Sequence, residues 1–434
     1  MSTVEFFGGL GVIGSSKIMV SHGGHRVLLD IGLDIPAGGD LFRAPVTPRP
    51  GRELADRLRV GAAPRIPGLF DPALLPGSGE PAALTGAGAE AELAALAEPV
   101  GETAVFVSHP HLDHVGLAGF VRPDVPVHAH RDAVRLLTAL ADTGDGLPGH
   151  EPSWRPLDGG EVVHCGQISV ECVPVDHDVP GATGYLVRTP DGVLAYTGDI
   201  RFHGRHPDRS ESFVDRAAGC DLLVTEGTTL GWPVPDGPPR NEDDVVDSYR
   251  TLLRETAGLM LLALYPRDVE RAAEFVACTE AAGRRLLWPA QVAAFLRRMG
   301  VAAEEFDAVP LADLHAAPGD FVVAPEPYEF PALLDLPLSA DSAYVHANGE
   351  PLGAFDPRWS LLTGWLATLS VPLHTIGCSG HASPDDLHRM VQRIQPATVA
   401  PIHTTEPTRL HPPIGTHRLV PSYATRYTLT GDPL

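Results

Sequence analysis

The sequence predicts an α/β fold in which sheets are covered by helices and the chain is divided into two domains. Three observations carry that expectation. At 434 residues the chain exceeds what one ordinary core accommodates. Short apolar runs that read as strands alternate with amphipathic stretches that read as helices. A Pro/Gly-rich segment, GWPVPDGPPR at Gly231–Arg240, interrupts that alternation and marks a boundary.

Each element has its own signal. VEFFGGL, SKIMVSH and HRVLLDIG, punctuated by Gly8, Gly9, Gly14 and Gly23–Gly24, read as a strand meander over residues 3–35. Residues 36–100 turn rich in Pro, Gly and Ala, with a short helix expected at AEAELAALAE, and read as a surface excursion. TAVFVSHPHLDHVGLAGF is a buried strand running into a His-rich loop and a short apolar helix. Further strand units come in VPVHAHRDAVRLL, QISVECVPVDHD, TGYLVRTP, GVLAYTGDI and CDLLVTEGT. Past the boundary, DDVVDSYRTLLRETA, LMLLALY, RDVERAAEFVACTEAAG, RRLLWP and QVAAFLRRMG form a compact α/β pattern of their own. From about Pro372 the chain returns to short strands and loops carrying His374, His381 and His403.

Composition narrows the function. A hydrophobic share of 44% with 20% charged residues is that of a globular chain. No apolar run approaches the ~18 residues of a membrane span, and the N-terminus lacks a secretory pattern, so a cytoplasmic location is the default. Five cysteines without a CxxC pair fit reduced thiols, with Cys165 and Cys172 read as small core residues of a strand pair. The formal charge of −23 argues against broad nucleic-acid binding, though not against a local basic channel. Arg267, Arg271, Arg284 and Arg285 are candidates for such a lining; solvation on helix surfaces is their default reading.

The chemistry concentrates in Ser108-His109-Pro110-His111-Leu112-Asp113-His114. Four potential ligands lie within six residues, directly after a hydrophobic strand. Imidazole and carboxylate suit Zn²⁺, with Mn²⁺ and Fe as competitors. The loop holds more ligands than one catalytic zinc needs, which points to two divalent metal ions. His177 comes after the strand VECVPVD and Asp199 after VLAYTG, both at strand ends where side chains converge on the sheet edge. Asp199 has the two oxygens needed to bridge two ions. The competing reading, solvated loop residues, is strong for either residue alone and weak for the cluster.

HPHLDHVG resembles the HxHxDH signature of the metallo-β-lactamase fold, and His177 and Thr197–Asp199 resemble its later ligand motifs. Beyond Asp199 the chain resembles the β-CASP branch that includes the RNase J enzymes. The matching positions are Glu226 in LLVTEGTT, His381 in Ser379-Gly380-His381, and His403 in APIHTTEP. The opening FFGGLGVIGSSKIMV is similar to the family's first strand pair and departs from it at Val12, where many members have glutamate. Residues 36–100 match nothing in the family. Only about thirty residues come after His403, so the resemblance implies an enzyme shorter than RNase J itself.

The resemblance implies a metallo-β-lactamase αββα sandwich at 1–230, interrupted by a β-CASP-like α/β insertion at 231–370 and completed at 371–434. It implies one metal on His109, His111 and His177, a second on Asp113, His114 and His403, and Asp199 between them. The catalytic set would be Asp113, His381 and Glu226. His381 would supply or orient a proton or hold the phosphate, and Glu226 would be its carboxylate neighbour. Ser379, Gly380 and Ser383 are candidates to cradle phosphate, although Ser383-Pro384-Asp385-Asp386 also reads as a helix N-cap. The expected reaction is phosphodiester hydrolysis of RNA by a metal-activated hydroxide, including attack from the 5′ end. A homodimer is compatible with it, and a membrane partner is not expected. Two alternatives stand beside it: a hydrolase of a small ester, lactone, thioester or phosphate ester, and a binding protein using the fold as a scaffold.

Overall fold

The computed structural model describes residues 1–34, 42, 46–75, 96, 98, 100–232, 240–353 and 356–434. Most of the expected AEAELAALAE helix and of the 231–240 boundary segment lies outside the described residues.

The chain first builds a sheet from β1 (Thr3–Phe6), β2 (Ile18–His22), β3 (His25–Leu29), β4 (Thr103–Val107), β5 (Val127–His130) and β6 (Trp154–Leu157). The expected meander is there: β1, β2 and β3 pair antiparallel, after which β3 to β6 run parallel. A second sheet is built from β7 (Val162–Cys165), β8 (Ile168–Pro174), β9 (Thr183–Thr189), β10 (Gly192–Tyr196) and β11 (Leu222–Glu226). A third, wholly parallel sheet contains β12 (Met260–Leu264), β13 (Arg285–Trp288), β14 (Glu304–Glu305), β15 (Phe321–Val323), β16 (Ala343–Ala347) and β17 (Leu373–Thr375). Its last strand runs a few residues past the 370 boundary read from the sequence. The chain then returns: β18 (Thr398–Ile402) and β19 (His417–Arg418) extend the second sheet beyond β11, and β20 (Arg426–Tyr427) pairs with β1.

Strand periodicity decides the layers. Val27 and Leu29 point to one side of β3 and Leu28 to the other, because successive side chains alternate across a strand. The first side meets Ile168, Val170, Tyr185, Leu194 and Val224 of the second sheet, making the dry centre of the sandwich. The second is covered by α1 (Glu53–Val60) and α3 (Arg131–Asp142), with the short α2 (Leu112–Val115) at the strand ends. The outer face of the second sheet packs on α4 (Pro207–Arg216) and the C-terminal helix Pro384–Ile394, through Phe213, Leu387 and Val391. Truncating Phe106 to Ala in the dry centre costs about 3–5 kcal/mol by the usual cavity argument.

The third sheet is likewise sandwiched. One face meets α5 (Glu242–Glu255), α6 (Val269–Ala281) and α7 (Ala290–Arg298), and Leu136, Ala139 and Leu140 of α3 join that core. Asn241 and Asp244 form a reciprocal capping box at the start of α5, and Tyr249 stacks on Phe275 of α6 with ring centroids 3.9 Å apart. Cys165 and Cys172 are buried and on paired strands, as expected, and all five cysteines are free thiols. No helix among the described residues is long and apolar enough to cross a membrane.

Candidate metal centre

Every expected ligand, and Glu226 with them, sits just past, or at, the C-terminal end of a strand: the 108–114 loop after β4, His177 after β8, Asp199 after β10, Glu226 ending β11, His403 after β18. Adjacent strands in two facing sheets thereby deliver side chains to one edge. The structure brings them together as two groups. His109, His111, His177 and Asp199 offer ligand atoms within 4.8 Å of one another, and so do Asp113, His114 and His403.

In the first group His111 Nδ1 lies 3.0 Å from His109 Nε2 and 3.3 Å from His177 Nε2. In the second, His403 Nε2 is 3.1 Å and His114 Nε2 3.6 Å from Asp113 Oδ2. Asp199 Oδ2 stands between the groups, 3.6 Å from His109 Nε2, 3.3 Å from His114 Nε2 and 3.6 Å from His403 Nε2. Tetrahedral nitrogen ligands about 2.0–2.1 Å from one zinc ion lie about 3.3 Å apart, so this spacing fits the ion. His114 Nε2 and Asp199 Oδ1 are buried without a hydrogen-bond partner, the condition that a bound cation relieves. The residues present fit a pair of divalent cations.

A supporting layer fixes the ring orientations. Asp30, wholly buried, accepts from Ser108 N at 2.6 Å, Ser108 Oγ at 2.8 Å and Tyr196 OH at 2.5 Å, and faces His114 Nδ1 at 2.7 Å. The Nδ1 of His403 faces Thr228 Oγ1 at 2.8 Å, and that of His177 donates to Gly380 O at 2.5 Å. Each contact leaves Nε2 turned toward the cluster, the division of labour usual in metal-binding histidines. His403 adopts φ 53, in the left-handed region that non-glycine residues seldom take. Its N–H is tied to Gly9 O at 2.7 Å.

His381 stands beside the bridge. Its Nδ1 is 3.2 Å from both oxygens of Glu226 and 3.7 Å from Asp199 Oδ2. Glu226 is itself held by the N–H groups of Ile200 and Thr228, each at 3.1 Å. Burial disfavours the imidazolium, but the carboxylates of Glu226, Asp199 and Asp178 outweigh it and push His381 up to about 10. His111 goes the other way: burial, only partly opposed by Asp178, lowers it to about 4. A neutral imidazole is the form that binds a metal.

The three candidate phosphate residues also have local partners. Gly380 is where it is because nothing larger fits: a Cβ there would lie 2.5 Å from Asp178 Oδ2. Ser379 Oγ accepts from His381 N at 3.0 Å and its carbonyl from His203 Nε2 at 3.0 Å. Ser383 caps the 384–394 helix, accepting from Asp386 N at 3.1 Å, so the N-cap alternative accounts for it. The arginine expectations also change. Arg271 is neither a solvated helix residue nor a free phosphate ligand; it is 1% exposed and bound to Glu242. Arg267 pairs with Asp145 at 2.9 Å, Arg284 donates to the carbonyls of Gly258 and Thr256, and Arg285 pairs with Glu304.

Sequence reading missed Asp178 and Tyr265. Asp178 Oδ1 is buried without a hydrogen-bond partner, 3.2 Å from His177 Nε2 and 3.5 Å from His111 Nε2. Its signal was plain adjacency to His177 in VDHD. Tyr265, at the end of β12, sets its ring 5.6 Å from that of His111, so the third sheet reaches the centre.

A family model of the beta-lactamase superfamily domain matches residues 82–242. The ribonuclease J of Mycolicibacterium smegmatis is 24% identical over 339 residues, covering 70% of this chain and 58% of that protein. The ribonuclease J of Mycobacterium tuberculosis is 24% identical over 336 residues, again 70% of this chain and 58% of the relative. The chain thus spans rather more than half the length of these curated relatives. A crystal structure of a protein of unknown function from Enterococcus faecalis V583 matches with a TM-score of 0.80 and 28% identity, over 98% of this chain and 99% of that one. The fold, the signature and these relatives agree: the chain carries the metallo-β-lactamase fold and is similar to proteins named ribonuclease J.

Proposed function

We propose that the protein is a metal-dependent phosphodiesterase that degrades RNA, with exonucleolytic attack from the 5′ end as its mode. One observation carries this reading: two ligand groups that share the single carboxylate Asp199, with the Glu226–His381 pair against it. The kinship to proteins named ribonuclease J adds the substrate. His109, His111 and His177 would hold one cation and Asp113, His114 and His403 the other, with zinc favoured by the nitrogen-rich set and Mn or Fe as competitors. Such a pair supplies an activated water and charge stabilisation at a phosphoryl oxygen.

The chain's own residues supply the rest. Glu226 fixes Nδ1 of His381 and leaves Nε2 for the substrate. A protonated His381 delivers its proton to the departing 3′ oxygen, or holds the scissile phosphate through the same N–H. Tyr265 and the third sheet close the cleft on one side. The 231–370 insertion and the 1–230 and 371–434 segments are the two bodies between which RNA would pass. The second reading, a small-ester or lactone hydrolase, is favoured by the charge of −23 and by the internal pairing of Arg267, Arg271 and Arg285.

The deciding experiment incubates metal-loaded protein with 5′-monophosphorylated labelled RNA, 5′-blocked RNA and a panel of small esters. The expected outcome is chelator-sensitive release of mononucleotides from the monophosphorylated RNA. Efficient turnover of a small ester with both RNAs untouched would transfer the assignment to the second reading.

A further inference from the structure

The opposite edge of the sandwich carries a second cluster of ligand-type side chains. His25 opens β3, Glu102 immediately precedes β4, and Cys165 closes β7. These are the edges of β3 and β4 remote from the metal centre, so the length of a strand, on the order of 15–20 Å, separates the two. One ligand atom from each residue lies within 4.8 Å of the others. His25 Nδ1 and Glu102 Oε2 are 3.0 Å apart, a spacing that suits two ligands of one cation as well as a hydrogen bond. Among the described residues this is the only such group that contains a cysteine.

The surroundings are shaped for it. The β7–β8 turn folds over the imidazole so closely that a Cβ on Gly166, whose φ is +57, would lie 2.3 Å from the His25 ring. That turn therefore holds Cys165 and His25 together. Behind them is a cavity of about 240 Å³ lined in part by Glu102, Cys165, His164 and His128. His128 is 8% exposed and its Nδ1 has no hydrogen-bond partner. The Cys165 thiol meets only weak backbone acceptors, Arg26 O at 3.6 Å and Glu102 O at 3.8 Å.

We propose that His25, Glu102 and Cys165 form a peripheral site for a zinc-class divalent cation, separate from the central pair. One thiolate, one imidazole and one carboxylate make a borderline-soft donor set that prefers zinc and cobalt to magnesium or calcium. Binding exchanges the thiol proton for the cation and changes no oxidation state. The bound cation ties the β2–β3 hairpin, the start of β4 and the β7–β8 hairpin together. With three protein ligands, a fourth position faces the cavity and takes water or a small anion.

The test uses Co²⁺ on the full chain. Thiolate ligation gives an intense near-ultraviolet charge-transfer band that nitrogen and oxygen ligands lack, and the central ligand set contains no cysteine, so the band reports this site alone. Wild-type protein should develop the band to the amplitude of about one thiolate-bound Co²⁺ per chain, while the central groups take up Co²⁺ without contributing to it. Cys165→Ser should abolish it and bind one zinc fewer, and His25→Ala, at a partly exposed position, should prevent saturation while the thermal melt stays close to wild type. No band in wild type, or a band that survives Cys165→Ser, overturns the proposal. Neither result depends on whether RNA is hydrolysed, so the ribonuclease reading stands or falls separately.

Discussion

Two buried charge clusters adjoin, and the chain passes from one to the other within two residues. Asp199 belongs to the metal centre, and Arg201 to a network in which it meets Asp176 at 3.3 Å and Glu242 at 2.9 Å. There Arg271 binds Glu242 at 2.6 Å and Asp268 at 3.2 Å, and Arg205 lies 3.7 Å from Glu242. Three arginines face three carboxylates, Asp176, Glu242 and Asp268, and the cationic charge comes from the chain itself. The candidate metal centre has carboxylates and histidines but no arginine, and His114 Nε2, Asp178 Oδ1 and Asp199 Oδ1 are buried there without hydrogen-bond partners. A cluster whose carboxylates meet guanidinium groups carries its own counter-charge; one built of imidazoles and carboxylates whose ligand atoms converge on one point is suited to a cation from outside.

The comparison breaks first at Asp199. Asp199→Ala removes an oxygen that lies between both ligand groups, so the central pair should fall from about two ions to below one and activity should vanish with it. Elemental analysis of active wild type showing at most one tightly held ion would remove the two-cation mechanism. Next comes His381→Ala, which should keep both ions and lower turnover roughly 10²–10⁴-fold, the usual share of acid–base catalysis. Near-normal turnover on RNA would show that His381 neither moves the proton nor holds the phosphate.

On the arginine side, Glu242→Ala removes the carboxylate that two buried guanidinium groups share, leaving Arg201 to Asp176 and Arg271 to Asp268. Unfolding in denaturant should show a loss of about 3–5 kcal/mol, while refolded protein still binds its metals. A drop in metal affinity larger than the drop in stability would mean that the two clusters are one unit. Asp30→Asn weakens the hold on His114 Nδ1 and should reduce metal affinity by about 10–100-fold, read by competition with a chromophoric chelator. The smallest effect is expected at the exposed Arg285–Glu304 pair, where Arg285→Ala should change stability by no more than about 1 kcal/mol.

Legibility in the sequence falls with distance along the chain. The 109–114 cluster could be read directly, because one strand end fixes four ligand candidates within six residues. His177 and Asp199 could be read from their places after apolar runs. Glu226, His381 and His403 became visible only through resemblance, since nothing local marks them. The supporting contacts were closed to sequence reading: Ser108 reaches Asp30 across 78 positions, and His177 reaches Gly380 across 203. Arg271 misled because a helix pattern shows which face is polar but not that Glu242 waits on the neighbouring helix. Ser383 was legible as a cap because its partner, Asp386, is three residues on.

The return of the chain has a consequence for biosynthesis. His403 enters the centre from β18, and β1 is flanked on its outer side by β20, so the first strand stays a free edge until the last is made. On the ribosome the His109–His114 loop emerges some 290 residues before its partner His403, which sits against Asp113. The second ligand group therefore cannot close until His403 has emerged, and pairing across such a span is slow once it becomes available. Under the ribonuclease reading, this order keeps the nascent enzyme inert beside its own messenger until His403 has been made.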